Sequence, residues 1–368
     1  MDMLTFISFL AGFVLLIAGA ETLVRGASRL AVAAGISPLV VGLTVVAYGT
    51  SAPELAVSVQ SSFAGQPDIA IGNVVGSNIA NILLILGISA AVTPLVVAQQ
   101  LIRLDIPIMI GLSFLVFFMG LDGKIGLLDG LILVIGAITY TVFAIRQSRK
   151  ETKEIKEEYA DEFDGEKVKT APLQIMIQLG MIVAGLVMLV FGSRWLINGA
   201  VVIAQIFGVS ELVIGLTVIA VGTSLPEIAT SVVAGFRGER DIAVGNAIGS
   251  NIFNILSVLG VAGLVTPNGI TVSTAALNFD IPVMIAVAVA CLPIFFSGYS
   301  IRRWEGFMFL GYYAAYTIYL FLNVTQHRAL TAFSSIMATF VLPITVVTIL
   351  VLAIRAVRTN HSQVRDSI

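Results

Sequence analysis

Ten residues at positions 49–58, GTSAPELAVS, return as GTSLPEIATS at 222–231, an offset of 173 residues. The repeat is longer than this motif. DIAIGNVVGSNIANILLILG at 68–87 reappears as DIAVGNAIGSNIFNILSVLG at 241–260, and over 49–87 against 222–260 the two copies are identical at 24 of 39 positions without a gap. Upstream, GISPLVVGLTVVA aligns with GVSELVIGLTVIA at the same offset. A chain that carries one unit twice folds as two copies of that unit, so the arrangement of the copies constrains everything else.

Composition decides the setting. Hydrophobic residues make up 58% of the 368 positions and charged residues 11%, with a mean hydropathy of +1.01, which is the balance of a membrane-embedded chain. A bilayer-spanning helix needs about 20 apolar residues. On that criterion spans are expected at 4–33, 37–62, 70–97, 104–121 and 125–145, then at 173–205, 210–235, 243–266, 279–297, 303–323 and 331–356. One hydrophilic stretch, RQSRKETKEIKEEYADEFDGEKVKT at 146–170, separates the two sets. The chain therefore divides into a first five-helix unit (1–145), a linker loop (146–172), a second five-helix unit (173–323) and an additional span with a polar tail (324–368). The fold class is all-α and polytopic. The N-terminus has neither a basic n-region nor a small-residue cleavage site, so it reads as a retained span. A single cysteine, Cys291, excludes an internal disulfide.

Five spans is an odd number, so equivalent helices of the two copies cross in opposite directions. This is an inverted repeat, a frequent architecture of secondary transporters. Arg103, the seven basic residues of 146–170, Arg237, Arg240, Arg302, Arg303, Arg355, Arg358 and Arg365 share one side, whereas Lys124 and Arg328 lie on the other. The positive-inside rule then puts the linker and C-terminus in the cytoplasm and the N-terminus outside, in the cell membrane. The net charge of −2 describes loops and argues against nucleic acid as a partner.

Within this apolar chain each copy buries a glutamate, Glu54 or Glu227. A carboxylate at mid-span costs a few kcal/mol and usually marks an ion path. The alternative is that the acids cap freed backbone or pair with Arg25 or Arg194. Thr50 and Ser51 precede Glu54 by four and three residues and share a helix face with it, while Pro53 lacks an N–H and disfavours helix at Ala52. Thr223, Ser224, Pro226 and Glu227 repeat this pattern. On the following spans Ser77 with Asn81, and Ser250 with Asn254, stand four apart. Two inverted copies would bring carboxylate, amide, hydroxyl and carbonyl oxygens together near the midplane, a set suited to hard cations such as Ca2+ and Na+. Asn73, Asn78, Asn246 and Asn251 read as bonds between helices, Gly72-x-x-x-Gly76 and Gly245-x-x-x-Gly249 as close helix packing, and Asp68 and Asp241 as N-terminal caps.

With these residues in view, GTSAPE with GSNIANILLILG, and GTSLPE with GSNIFNILSVLG, resemble the two alpha repeats of the cation/calcium exchanger superfamily, most closely its prokaryotic Na+/Ca2+ exchangers. The resemblance covers roughly residues 1–323. It implies ion ligation by Thr50, Ser51, Glu54, Ser77 and Asn81 in the first copy and by Thr223, Ser224, Glu227, Ser250 and Asn254 in the second, with backbone carbonyls near Ala47 and Ala220. It further implies alternating access, with the first span of each half sliding as a gate. Ca2+ and Na+ are then transported ions, the bilayer is the surroundings, and neither a cofactor nor an obligate protein partner is expected. Relatives that also need K+ resemble this chain but carry Asp at the position of Asn254, so Asn implies K+ independence. The eleventh span departs from the usual ten, and the linker is too short to resemble the calcium-sensing loop of animal exchangers.

Other readings remain open at this point. H+/Ca2+ exchange would use the same glutamates, although the paired hydroxyls favour Na+, since protons need no coordination shell. A passive cation channel would need the same oxygens. An intramembrane serine protease would want a histidine within a span, but His327 and His361 lie in a loop and the tail. Asp105 and Asp280 lack the context of an aspartyl protease.

Overall fold

The computed structural model describes residues 3–160, 172–208 and 220–348. Its first half begins with α1 (Met3–Ala34), α2 (Pro38–Thr50) and α3 (Ala52–Phe63), followed by α4 (67–92), α5 (Leu101–Asp122) and α6 (Leu127–Ala160). The second half contains α7 (Pro172–Ile206), α8 (Ala220–Thr223), α9 (Leu225–Phe236), α10 (Arg240–Val265), α11 (Ala276–Phe296) and α12 (Arg303–Val324). A last helix, α13 (Leu330–Thr348), follows. Among the described residues nine helices are long and apolar enough to cross a bilayer, or ten when the bent pair α2–α3 counts as one. The protein is thus an all-α multi-pass membrane protein of two inverted five-helix repeats with an added C-terminal helix.

The boundaries differ from the sequence expectation in identifiable places. Helix α6 does not stop at 145 but continues through Ala160, so much of the expected linker is helical; residues 161–171 lie outside the described ones. Of the span expected at 210–235, positions 210–219 lie outside the described residues, as do 349–356 of the last span and the tail beyond it. Arg103 sits within the first turn of α5 rather than in a loop.

The two halves meet along seams lined by glycine. Gly12, Gly19 and Gly26 recur every seven residues on α1, about two helical turns, and Gly185, Gly192 and Gly199 stand 173 residues beyond them on α7. A Cβ on Gly12 would fall 3.0 Å from the Gly192 carbonyl, and one on Gly185 would fall 2.8 Å from the Gly19 carbonyl. Only hydrogen at Cα permits this approach, so α1 and α7 touch backbone to backbone. A second seam holds α10 to α2: a Cβ on Gly249 would sit 2.5 Å from the Leu43 carbonyl, and one on Gly245 would sit 2.8 Å from that of Leu39. Gly72 and Gly76 do not follow their counterparts, since no described atom lies within 4 Å of a Cβ at either. The residues offset from Leu39 and Leu43 are Leu212 and Leu216, and both lie outside the described set.

Helices α4 and α10 form the centre of the bundle. Their most apolar windows are 72% and 83% buried, against about a third for α1, α5, α6 and α7. Two short antiparallel pairs clasp the ends of the bundle. β1 (Leu95–Val96) pairs with β4 (Ser300–Ile301), and β2 (Lys124–Ile125) pairs with β3 (Ile270–Thr271), so each clasp takes one strand from each repeat. Buried Asp105 accepts from the Tyr140 hydroxyl at 2.9 Å, and Asp280 accepts from Tyr316 at the same distance. Both acids therefore fasten helices, α5 to α6 and α11 to α12. Asp241 lies in the first turn of α10, two residues past the capping position held by Glu239, so it is a first-turn acid and not the cap itself. Asp68 likewise follows the cap position, Gln66, and its side chain lies outside the described ones.

Candidate functional site

Pro53 bends the chain where the sequence places the first glutamate. Helix α2 ends at Thr50, Ser51 leaves helical geometry at φ −80° and ψ 3°, and α3 resumes at Ala52 with a 41° change of direction. Ser224 repeats the break at φ −89° and ψ 7° ahead of Pro226. The break falls on the serine one residue before the expected position, because proline is tolerated in the first turn of the new helix. Glu54 and Glu227 occupy those first turns, at the amino-terminal ends of α3 and α9, where helix dipoles favour negative charge.

Both glutamates are 1% exposed, and they lie near enough to one another to interact electrostatically. Thr50 and Ser51 of the first repeat stand beside the Glu227 carboxylate of the second. Neither acid pairs with the arginines considered as partners, since Arg25 pairs with Glu21 at 2.5 Å and Arg194 is exposed. Ala47–Thr50 packs against α10, and Ala220–Thr223 against α4, so the broken helix of each repeat faces the central helix of the other. The Ala47 carbonyl accepts the Ser51 N–H at 3.0 Å, while Ala220 is helical with its side chain outside the described ones.

The most informative feature is a set of oxygens with nothing to bond. Ser51 Oγ, Glu54 Oε2, Asn81 Oδ1, Ser224 Oγ, Glu227 Oε2, Ser250 Oγ and Asn254 Oδ1 are buried and have no hydrogen-bond partner among the described residues. An orphaned buried polar atom costs about 1–3 kcal/mol, and six of these seven atoms fall in repeat-related pairs, Ser250 being the seventh. Each is an oxygen of the kind that a hard cation accepts as a ligand. The donors are carboxylate, amide and hydroxyl oxygens, which suit a hard ion better than a transition metal. Ser77 is buried at the edge of a cavity of about 270 Å³ that Thr223 and Asp280 also line.

Supporting contacts repeat across the symmetry. Asn73 Nδ2 donates to the Glu54 carbonyl at 3.0 Å and to Ser58 Oγ at 2.9 Å. Asn246 Nδ2 donates to the Glu227 carbonyl at 3.4 Å and to Ser231 Oγ at 3.0 Å. Asn246 Oδ1 accepts from the Thr50 hydroxyl at 3.1 Å. These asparagines bridge helices, as their positions suggested. Two features were not read from the sequence. Asn81 and Asn254 each begin a π-helical turn, Asn81–Leu86 and Asn254–Leu259, a deviation that often accompanies function. The second is the set of partners of Asn78 and Asn251, described below.

Comparison with known proteins places the fold. The family described as "Sodium/calcium exchanger protein" matches residues 4–146 and 177–322, which leaves α13 beyond the match. The "Sodium/calcium exchanger MaX1" of Methanosarcina acetivorans is 34% identical over 316 residues, 78% of this chain and 90% of that protein. The "Putative antiporter CaxA" of Alkalimonas amylolytica is 40% identical over 258 residues, 70% of this chain and 79% of its own length. Among solved structures, the sodium-calcium exchanger NCX_Mj soaked with Na+ and Ca2+ superposes with a TM-score of 0.72 at 32% identity, covering 85% of this chain and 97% of that one.

Proposed function

Because the chain belongs to the sodium/calcium exchanger family, we propose that it moves Ca2+ across the cell membrane in exchange for Na+, with Glu54 and Glu227 as the charged centre of one ion site. The observation that carries this reading is the set of seven buried, unpartnered oxygens contributed equally by both repeats apart from Ser250. Ligands are Thr50, Ser51, Glu54, Ser77 and Asn81 with Thr223, Ser224, Glu227, Ser250 and Asn254, and carbonyls near Ala47 and Ala220 complete the shell. A Ca2+ takes six to eight oxygens, which a site drawn from both repeats can supply together with the two carboxylates that match its charge.

Exchange follows from charge. One Ca2+ neutralises the two carboxylates. A full Na+ load added to it would find no unpaired acid and would meet cation repulsion at low dielectric. The ions therefore alternate. Alternating exposure requires that the site open to one side at a time, and two inverted copies supply equivalent conformations for the two sides. We place the linker and C-terminus in the cytoplasm, on the side of most Lys and Arg.

The coupling ion is tested by Ca2+ uptake into proteoliposomes. With Na+ loaded inside and K+ absent throughout, dilution into Na+-free buffer drives uptake, because Asn254 supplies no third carboxylate for K+. A pH gradient alone drives none. Uptake driven by the pH gradient would replace Na+ by H+ as the coupling ion, and Ca2+ entry without any countergradient would make the protein a channel.

A further inference from the structure

Asn78 and Asn251 precede the ligand asparagines Asn81 and Asn254 by three residues and are themselves 2% and 1% exposed. Nothing in the ion chemistry above uses them. Asn81 Nδ2 donates to Asn251 Oδ1 at 3.0 Å, and Asn254 Nδ2 donates to Asn78 Oδ1 at 3.1 Å. Each ligand amide is thus held from the opposite repeat. The holding amides are fixed in turn: Asn251 Nδ2 donates to Met109 Sδ at 3.3 Å, and Asn78 Nδ2 donates to the Asn251 carbonyl at 3.3 Å and to Met284 Sδ at 3.6 Å.

Direction matters in such a chain. A carboxamide can turn either its oxygen or its NH2 toward a neighbour, and only the oxygen can bind a cation. A thioether sulfur accepts but never donates. Met109 and Met284 therefore draw the NH2 groups of Asn251 and Asn78, whose oxygens then draw the NH2 groups of Asn81 and Asn254. What remains on each ligand side chain is Oδ1, the atom that has no partner. We infer that Asn78 and Asn251 are positioning residues that set the amide orientation of the ion ligands across the repeat boundary, with Met109 and Met284 fixing the sense of each chain. The inference rests on Asn81 and Asn254 being ligands.

A double-mutant cycle on purified full-length protein tests it, read as the Ca2+ concentration for half-maximal uptake (KM), the maximal rate (kcat) and the thermal shift produced by Ca2+. Loss of a residue that orients a metal ligand costs typically about 10–100-fold in affinity. Asn251→Ala is expected to raise KM about tenfold, as Asn81→Ala does, and the double variant to exceed neither by more than about twofold, since both remove one oriented oxygen. Asn251→Ala combined with Asn254→Ala, which belongs to the other chain, multiplies instead. Asn251→Asp keeps an acceptor for Asn81 Nδ2, so its KM does not rise as far as in the alanine variant, and it serves where that variant fails to fold. Multiplying effects of Asn251→Ala and Asn81→Ala, or an Asn251→Asp KM as high as the alanine variant's, would overturn the positioning role. Unchanged KM in both Asn81→Ala and Asn254→Ala would instead remove these residues from the ion site itself.

Discussion

Glu54→Gln and Glu227→Gln are each expected to lower Na+-driven Ca2+ uptake at least a hundredfold while leaving the protein folded. Glutamine keeps the volume and one oxygen but removes the charge. Two unit charges about 4 Å apart attract by roughly 4 kcal/mol at an effective dielectric near 20, and a divalent ion doubles that before desolvation takes part of it back. A hundredfold loss requires only about 2.7 kcal/mol, so even a heavily offset interaction suffices. Fold is preserved because neither carboxylate anchors a helix through an ion pair, and the Glu54 and Glu227 carbonyls that accept from Asn73 and Asn246 remain. Thermal unfolding in detergent checks the fold, and uptake checks the function. Equal activity in either variant would remove that glutamate from the ion site.

The second large effect is mechanical. Gly249→Val is expected to abolish transport and to lower the unfolding temperature, because its Cβ would lie 2.5 Å from the Leu43 carbonyl and 2.7 Å from the Leu43 Cα. Those are backbone atoms, so relief comes only from moving α2 away from α10. Overpacking of this kind costs about 1–3 kcal/mol and more where the neighbour is backbone. The displaced segment carries Ala47 and Thr50, and its retreat would also separate Thr50 from Asn246. Gly76→Val meets no described neighbour and is expected to be milder, although it occupies the equivalent position in the repeat. A Gly249→Val protein as stable and active as the parent would contradict the close α2–α10 contact.

The contrast between these two glycines marks the limit of what the repeat conveys. Gly76 and Gly249 sit in the same G-S-N context, yet one faces backbone and the other no described atom. Sequence identity specifies the helix face and not what is packed on it. The buried glutamates, the proline breaks and the paired serine and asparagine positions were legible because each depends on local spacing along one helix. The π-helical turns at Asn81 and Asn254 carry no such signal: NILLIL and NILSVL read as ordinary apolar helix. The partners of Asn78 and Asn251 were equally hidden, since an asparagine in an apolar span announces a hydrogen bond without naming its acceptor, and here the acceptors lie in the opposite repeat. Helix α6 outran its expected end for a related reason. RQSRKETKEIKEEYA is rich in good helix formers, and hydropathy registers where a chain leaves the apolar layer, not where its helix stops.

One site, assembled from both repeats, is expected to hold either Ca2+ or Na+ but not both. Equilibrium binding of radioactive Ca2+ to the purified protein at increasing Na+ measures this competition. One Ca2+ per chain is expected, with complete displacement by Na+, an apparent affinity that falls steadily as Na+ rises, and loss of binding in both Glu54→Gln and Glu227→Gln. Two independent Ca2+ sites, or a Ca2+ that stays bound at saturating Na+, would contradict it.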